Sequence, residues 1–245
     1  MADPRLEVIG RRLAGVKRII AVSSGKGGVG KSMIATTLAL ALSRRGHRVG
    51  LLDLDFTSPA THVILGVEGL QPEEEKGIIP PVAHGLRYMS IVFYAVDEPA
   101  PLRGAAISEA IIELMAITRW GELDYLVIDM PPGIGDATLD MIRLTPGISF
   151  LAVTTPSRVA FETVRKLLRL LRELEVPVVG VVENMVMNPS SRVRSQVEGI
   201  GVPYLGAIAF DPEVEEALGD VERLMGTRFA EAVGRIASEL SRRAP

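Results

Sequence analysis

Cysteine is missing from all 245 residues of this chain. Its absence excludes disulfides, thiolate zinc sites and cysteine-ligated iron–sulfur clusters on this polypeptide. Histidine is scarce, with three in total and no pair at ligand spacing, so a structural metal centre is not expected. Aromatics are 4% of a chain that is 47% hydrophobic, which implies a core of aliphatic side chains, as in buried parallel sheets. No apolar run reaches the roughly eighteen residues of a membrane span, and no secretory leader is evident. A cytoplasmic protein is therefore expected. The net charge of −3 leaves no broad basic face and no specific nucleic-acid signal. Lysine is also rare: Lys17, Lys26, Lys31, Lys76 and Lys166 are the only ones among 27 basic residues.

What is present is an alternation of short apolar runs with helical-period segments, the pattern of βαβ units. Strands are expected at Arg18–Ser24, Arg48–Asp55, Leu86–Phe93, Tyr125–Met130, Ser149–Thr155, Pro177–Glu183 and Tyr204–Phe210. Helices are expected at Lys31–Arg45, Ala105–Thr118, Ala137–Leu144, Ala160–Leu174 and Thr227–Arg242. The expectation is one domain over 1–245, with a lead-in helix in 1–17 and a polar, Pro-rich surface loop over 69–85. The fold class is three-layer α/β: a mostly parallel, roughly seven-stranded sheet with helices on both faces. Open sheets of this kind bind ligands beyond the carboxyl ends of their strands. Four unusual stretches fall there: "SSGKGGVGKS", "DLDFTSPAT", "DMPPGIGD" and "VVENM".

The first of these, Gly25 to Ser32, fits G-x-x-x-x-G-K-[ST] between a strand and a helix, which is the context of a phosphate-binding loop. Gly25, Gly27, Gly28, Val29 and Gly30 would turn backbone amides inward as an anion nest. Lys31 would bridge the β- and γ-phosphates of ATP, and the Ser32 hydroxyl would ligate Mg²⁺. Lys26 is one lysine more than the loop needs. In a chain that otherwise prefers arginine, a compact ammonium there suits a phosphate.

K-G-G-V-G-K-[ST] resembles the deviant Walker A motif of the ParA/MinD/Mrp group of P-loop ATPases. That resemblance implies that Lys26 crosses a homodimer interface to the partner's nucleotide. Met33 stands where the group usually has a second hydroxyl, so its amide remains for the α-phosphate without a side-chain contact. Asp53 and Asp55 are read as lying on one side of a strand's pleat. The resemblance makes Asp55 the residue that orients the attacking water, and Asp53 is read as outer-shell support for Mg²⁺. Asp129 ends an apolar strand as a Walker B aspartate does, holding Mg²⁺ through its waters. "PPGIGD" is similar to the Mrp signature D-x-P-P-G-T-G-D, with Gly133 as a γ-phosphate sensor and Ile134 in place of threonine. Asp136 either caps the next helix or takes part in chemistry. Asn184 can pair with adenine's edge; the resemblance gives it that role, with "GAIAFDP" flanking the ring.

The resemblance runs from about Ile19 to Pro212, and its nearest flavour is Mrp. Mrp-type proteins are implicated in carrying iron–sulfur clusters and usually show C-x-x-C shortly after the Asn-Met pair. This chain has "VMNPSSRVRSQVEG" there, with no cysteine. Met185 and Met187 are soft thioethers, although packing is their commoner use. Two function classes follow. One is an Mrp-like, slowly hydrolysing Mg-ATPase that assists metallocluster assembly for an unidentified protein client without ligating the cluster through cysteine. The other is a MinD/ParA-like positioning switch on a membrane, DNA or protein partner. A membrane switch would want a free amphipathic C-terminal helix. Phe229, Val233, Ile236 and Leu240 make such a stripe, with Arg228, Arg235, Arg242 and Arg243 around it, but core packing is the usual use of a stripe. This argues against membrane binding.

Overall fold

The computed structural model describes residues 3–94, 104–188 and 191–242; Arg243 lies outside them. In chain order the elements are α1 (Pro4–Leu13), β1 (Val16–Ser24), α2 (Lys31–Ser43), β2 (Val49–Asp53), α3 (Thr61–Leu65), β3 (Glu73–Glu74) and β4 (Ile78–Ile79). Next come β5 (Val82–Ala83), β6 (Leu86–Ser90), α4 (Ala105–Ile117), β7 (Leu123–Asp129), α5 (Asp136–Leu144), β8 (Ser149–Thr154) and α6 (Arg158–Glu173). The last are β9 (Val178–Val186), α7 (Arg192–Glu198), β10 (Tyr204–Ala209), α8 (Glu213–Glu216), α9 (Val221–Met225) and α10 (Arg228–Arg242).

The main sheet runs β10-β9-β8-β1-β7-β2-β6-β5, parallel throughout except for the β5–β6 edge pair. That is eight strands rather than about seven. The additional one is Val82–Ala83, two residues long and too short for any periodicity to reveal. Within 69–85, β3 and β4 form a small antiparallel pair, and Ile78 tucks its side chain inward.

Helices cover both faces. On one side α2, α3 and α10 pack against the sheet around Leu38, Leu42, Val127 and Val153; on the other, α1, α4, α5 and α6 surround Trp120, Leu126 and Phe150. Buried on nearly every side, α2 reads KSMIATTLALALS, with small and aliphatic residues all round, which is what a helix without a solvent face requires. The stripe on α10 is core: Phe229, Val233, Ile236 and Leu240 are buried among the α2 side chains. Among the described residues no helix is long and apolar enough to cross a membrane.

Several element ends differ from the sequence reading. β6 stops at Ser90, and a 3-10 turn covers Ile91–Phe93. β2 ends at Asp53, so the pleat does not place Asp55. The Leu54 amide donates to the Asp129 carbonyl at 2.9 Å, after which the chain turns away, with the Phe56 amide donating to Leu54. Short α3, α7, α8 and α9 were not anticipated.

Candidate functional site

Three strand ends meet at the centre of the carboxyl edge. β1 lies between β7 and β8, and the register sets Asp53 beside Asp129 across the β2–β7 ladder. The loop after β1 therefore opens directly over two buried carboxylates.

That loop is held from several sides. Ser24 Oγ donates to the Lys26 carbonyl at 2.9 Å. Gly25 packs so tightly on α6 that a Cβ there would lie 2.4 Å from Thr163 Oγ1. Gly30 has φ 80° and faces Asn184, whose Nδ2 would lie 2.3 Å from a Cβ at that position. Only glycine fits either place. Gly30 is also the N-cap of α2 and brings no side-chain cap, so the first amides of the helix are left for an external anion. Val29 is buried, and its carbonyl accepts from Asn184 Nδ2 at 2.9 Å.

Beneath the loop, Lys31 Nζ lies 2.5 Å from Asp129 Oδ1 and 3.2 Å from Ser32 Oγ. Lys31 is 6% exposed and Asp129 is fully buried. Burial pushes the Asp129 carboxyl up to about 6; the Lys31 charge opposes this and the neighbouring Asp53 adds to it. Asp129 Oδ2 is buried with no hydrogen-bond partner. Asp53 is fully buried and engaged at both oxygens: Oδ1 accepts from the Asp55 amide at 2.9 Å, and Oδ2 from the Thr61 hydroxyl at 2.6 Å and its amide at 3.2 Å. Asp55, 6% exposed, caps its own turn: Oδ1 accepts from the Thr57 hydroxyl at 2.8 Å and the Ser58 amide at 3.1 Å. Gly133, at φ 93°, donates its amide to the Ser24 carbonyl at 2.9 Å, tying the "PPGIGD" segment to β1. Asp136 is the first residue of α5, with Gly135 as N-cap and no side-chain cap.

A cavity of about 550 Å³ is lined by Gly27, Gly28, Lys31, Ser32, Asp55 and Pro132, with α3 and α8 as its far walls. It shares Gly30, Met33, Val214 and Glu215 with a second cavity of about 380 Å³. The second is mostly apolar, bounded by Asn184, Met185, Phe210, Pro212 and Phe229. The two cavities thus share a wall that includes Met33. Lys26 is exposed, and among the described residues no acidic side chain pairs with it. It borders a third cavity with Thr155, Met185 and Met187.

The structure therefore brings Gly25–Met33, Asp53, Asp55, Asp129, Gly133 and Asn184 together at one edge. Sequence reasoning missed Ser24, Thr61, Tyr88 and the α8 wall. Ser24 stood inside a quoted motif, but nothing in the sequence shows that Thr61 and Tyr88 meet.

Comparison with known proteins gives consistent results. The family described as ParA: NUBPL iron-transfer P-loop NTPase matches residues 15–243. The chain is 40% identical to the iron-sulfur cluster carrier protein of Aquifex aeolicus over 222 residues, covering 84% of this chain and 61% of that protein. The chain thus spans about half to three quarters of the length of the curated relatives it matches. Among solved structures, it resembles a nucleotide-binding protein from Archaeoglobus fulgidus in complex with ADP, with a TM-score of 0.76 and 30% identity, covering 90% of this chain and 93% of that one. The septum site-determining protein MinD from Pyrococcus horikoshii, complexed with Mg-ADP, shares the fold with a TM-score of 0.69 and 22% identity, covering 91% and 96%.

Proposed function

We propose, on the premise that this chain belongs to the ParA family of iron-transfer P-loop NTPases, that it binds Mg-ATP and hydrolyses it slowly as a face-to-face homodimer. In this reading it assists iron–sulfur or related metallocluster assembly for a protein client, and the cluster is never held by its own thiolates, since it has none. The single observation that carries the reading is the contrast between Lys31, buried on Asp129 inside the amide-lined chamber, and Lys26, exposed on the outer rim of the same loop and, among the described residues, without an acidic partner.

Lys31 would exchange Asp129 for the β- and γ-phosphates as the triphosphate enters. The base would lie in the apolar chamber between Met185 and Phe210, read by Asn184. One Nδ2 hydrogen of that amide goes to the Val29 carbonyl, which leaves its Oδ1 and second Nδ2 hydrogen for the base. Gly133 would release the Ser24 carbonyl to reach the γ-phosphate. Asp55 would orient the water, and Lys26 of each copy would add its charge at the other's phosphates.

The unpartnered Asp129 Oδ2, with the Ser32 hydroxyl close to the same lysine, is a hard-oxygen donor set that suits Mg²⁺. Among the described residues no cluster of three acidic or histidine side chains could hold a metal alone, so phosphate oxygens and water would complete its shell. Asp53 would support it from outside that shell by charge. Bound there, Mg²⁺ would neutralise phosphoryl oxygens.

Slow turnover is expected of a site completed only by a second copy. Exposed Val63, Met185, Met187 and Phe210 border the chambers, and Ile134 lies between Gly133 and Gly135 nearby, an apolar rim suited to a partner surface. Phosphate release measured across protein concentration tests the reading. Turnover per chain should climb as dimer forms, whereas rapid release independent of concentration overturns it. ATP-dependent sedimentation with vesicles would favour a positioning switch, but α10 has its apolar stripe inside the core.

A further inference from the structure

Asp53 grips both ends of one loop. Its Oδ1 accepts from the Asp55 amide at 2.9 Å, and its Oδ2 accepts from the Thr61 amide at 3.2 Å and the Thr61 hydroxyl at 2.6 Å. Between those grips lie Phe56, Thr57, Ser58, Pro59 and Ala60, of which Thr57 and Ser58 are exposed. Residues Thr57 to Ala60 also wall the 550 Å³ chamber.

The clamp has a further member. Tyr88, from the middle of β6, is fully buried, and its hydroxyl lies 2.8 Å from Thr61 Oγ1. Thr61 has one hydroxyl proton, and the carboxylate beside it can only accept, so that proton goes to Asp53 and Tyr88 donates to Thr61. Burial raises the Tyr88 hydroxyl to about 12, which keeps its proton in place. The chain of donors has a fixed direction, from β6 through α3 to the end of β2. All three members are buried, so water does not compete for the bonds.

We infer that Thr61 and Tyr88 are positioning residues that act through Asp53 to fix Asp55 and the loop 55–60 at the mouth of the phosphate chamber. The assignment rests on the reading of Asp55 as the water-orienting carboxylate. Neither residue touches the chamber through the atoms in question. Each limits how far Asp55 can stray, and misplacement by about an ångström costs up to about a hundredfold in rate.

The test compares wild type with Thr61→Val, Thr61→Ser and Tyr88→Phe in three measurements: hydrogen exchange of residues 55–60, Mg-ATP affinity and turnover. Thr61→Val keeps shape but removes the hydroxyl. It should speed exchange in 55–60, lower turnover by about tenfold or more and leave affinity within about threefold, and Thr61→Ser should restore all of it. Tyr88→Phe should do the same more weakly, and it decides the matter if Thr61→Val does not fold. Wild-type exchange and turnover in Tyr88→Phe and Thr61→Val overturn the clamp. So does a parallel loss of affinity and turnover that serine fails to restore. If the wild-type protein itself turns over no ATP, the functional reading fails, and the exchange data alone still decide whether the clamp exists.

Discussion

Two lysines of one loop sit in opposite surroundings, one on the floor of the phosphate chamber and one on the exposed rim of the loop. On the floor, Lys31 meets Asp129 at 2.5 Å, with both side chains removed from water. On the rim, Lys26 stands in solvent five positions earlier in the same loop, beside Met187, which is 78% exposed. The floor is complete within one chain, as a buried charge must be, because leaving one unpaired would cost several kcal/mol. The rim can stay unpaired at little cost because water solvates it. A side chain that is affordable but idle alone is what a surface completed by a second copy would show.

Substitutions on each side of that contrast should separate cleanly. The largest effect belongs to the floor. Lys31→Ala should abolish measurable Mg-ATP binding by calorimetry, and a variant retaining wild-type affinity would remove the phosphate-loop assignment. Next is Asp55→Asn, at the boundary between floor and rim. Its turnover should fall by about a hundredfold or more while ATP stays bound, as expected for loss of a water-orienting group. Wild-type phosphate release would take Asp55 out of the mechanism. On the rim, Lys26→Ala should keep Mg-ATP affinity within about threefold and lower turnover by about tenfold or more, through the partner's nucleotide. A large loss of affinity would mean that Lys26 works within its own chain.

The smallest effect is in the pH profile. Asp129 in the folded chain holds its proton up to about 6, against an ordinary value of 3.8, so the folded form binds more protons than the unfolded one between those limits. Its contribution to stability therefore falls as pH rises from about 4 to about 6 and is flat above. Asp129→Asn should flatten that part of the thermal-unfolding profile. An unchanged slope would show that another group titrates there.

Much of the floor was legible in the sequence. The phosphate loop announces itself by spacing and Asp129 by the apolar strand it ends; Asn184 was expected just past a strand ending at Glu183, whereas β9 runs on to Val186 and carries it within the strand. The clamp was not legible, because Asp53, Thr61 and Tyr88 are brought together only by the β2–β6 ladder and the short α3. Asp55 was placed by the pleat, yet β2 stops two residues earlier, where the Leu54 amide turns to the β7 carbonyl. The two-residue β5 and the helices α3, α7, α8 and α9 escaped for the same reason: elements this short owe their form to tertiary contacts rather than to periodicity. Met33, read as leaving only its amide for the α-phosphate, has a side chain that lines both cavities, which its position in the motif does not reveal.

Sedimentation velocity on Asp55→Asn and on the double variant Lys26→Ala/Asp55→Asn, each with Mg-ATP, tests the claim that the rim lysine serves a second copy. The account predicts a dimer for the first and a monomer for the second, with both holding nucleotide. Equal dimerisation of the two, or a monomeric Asp55→Asn protein saturated with ATP, would contradict it.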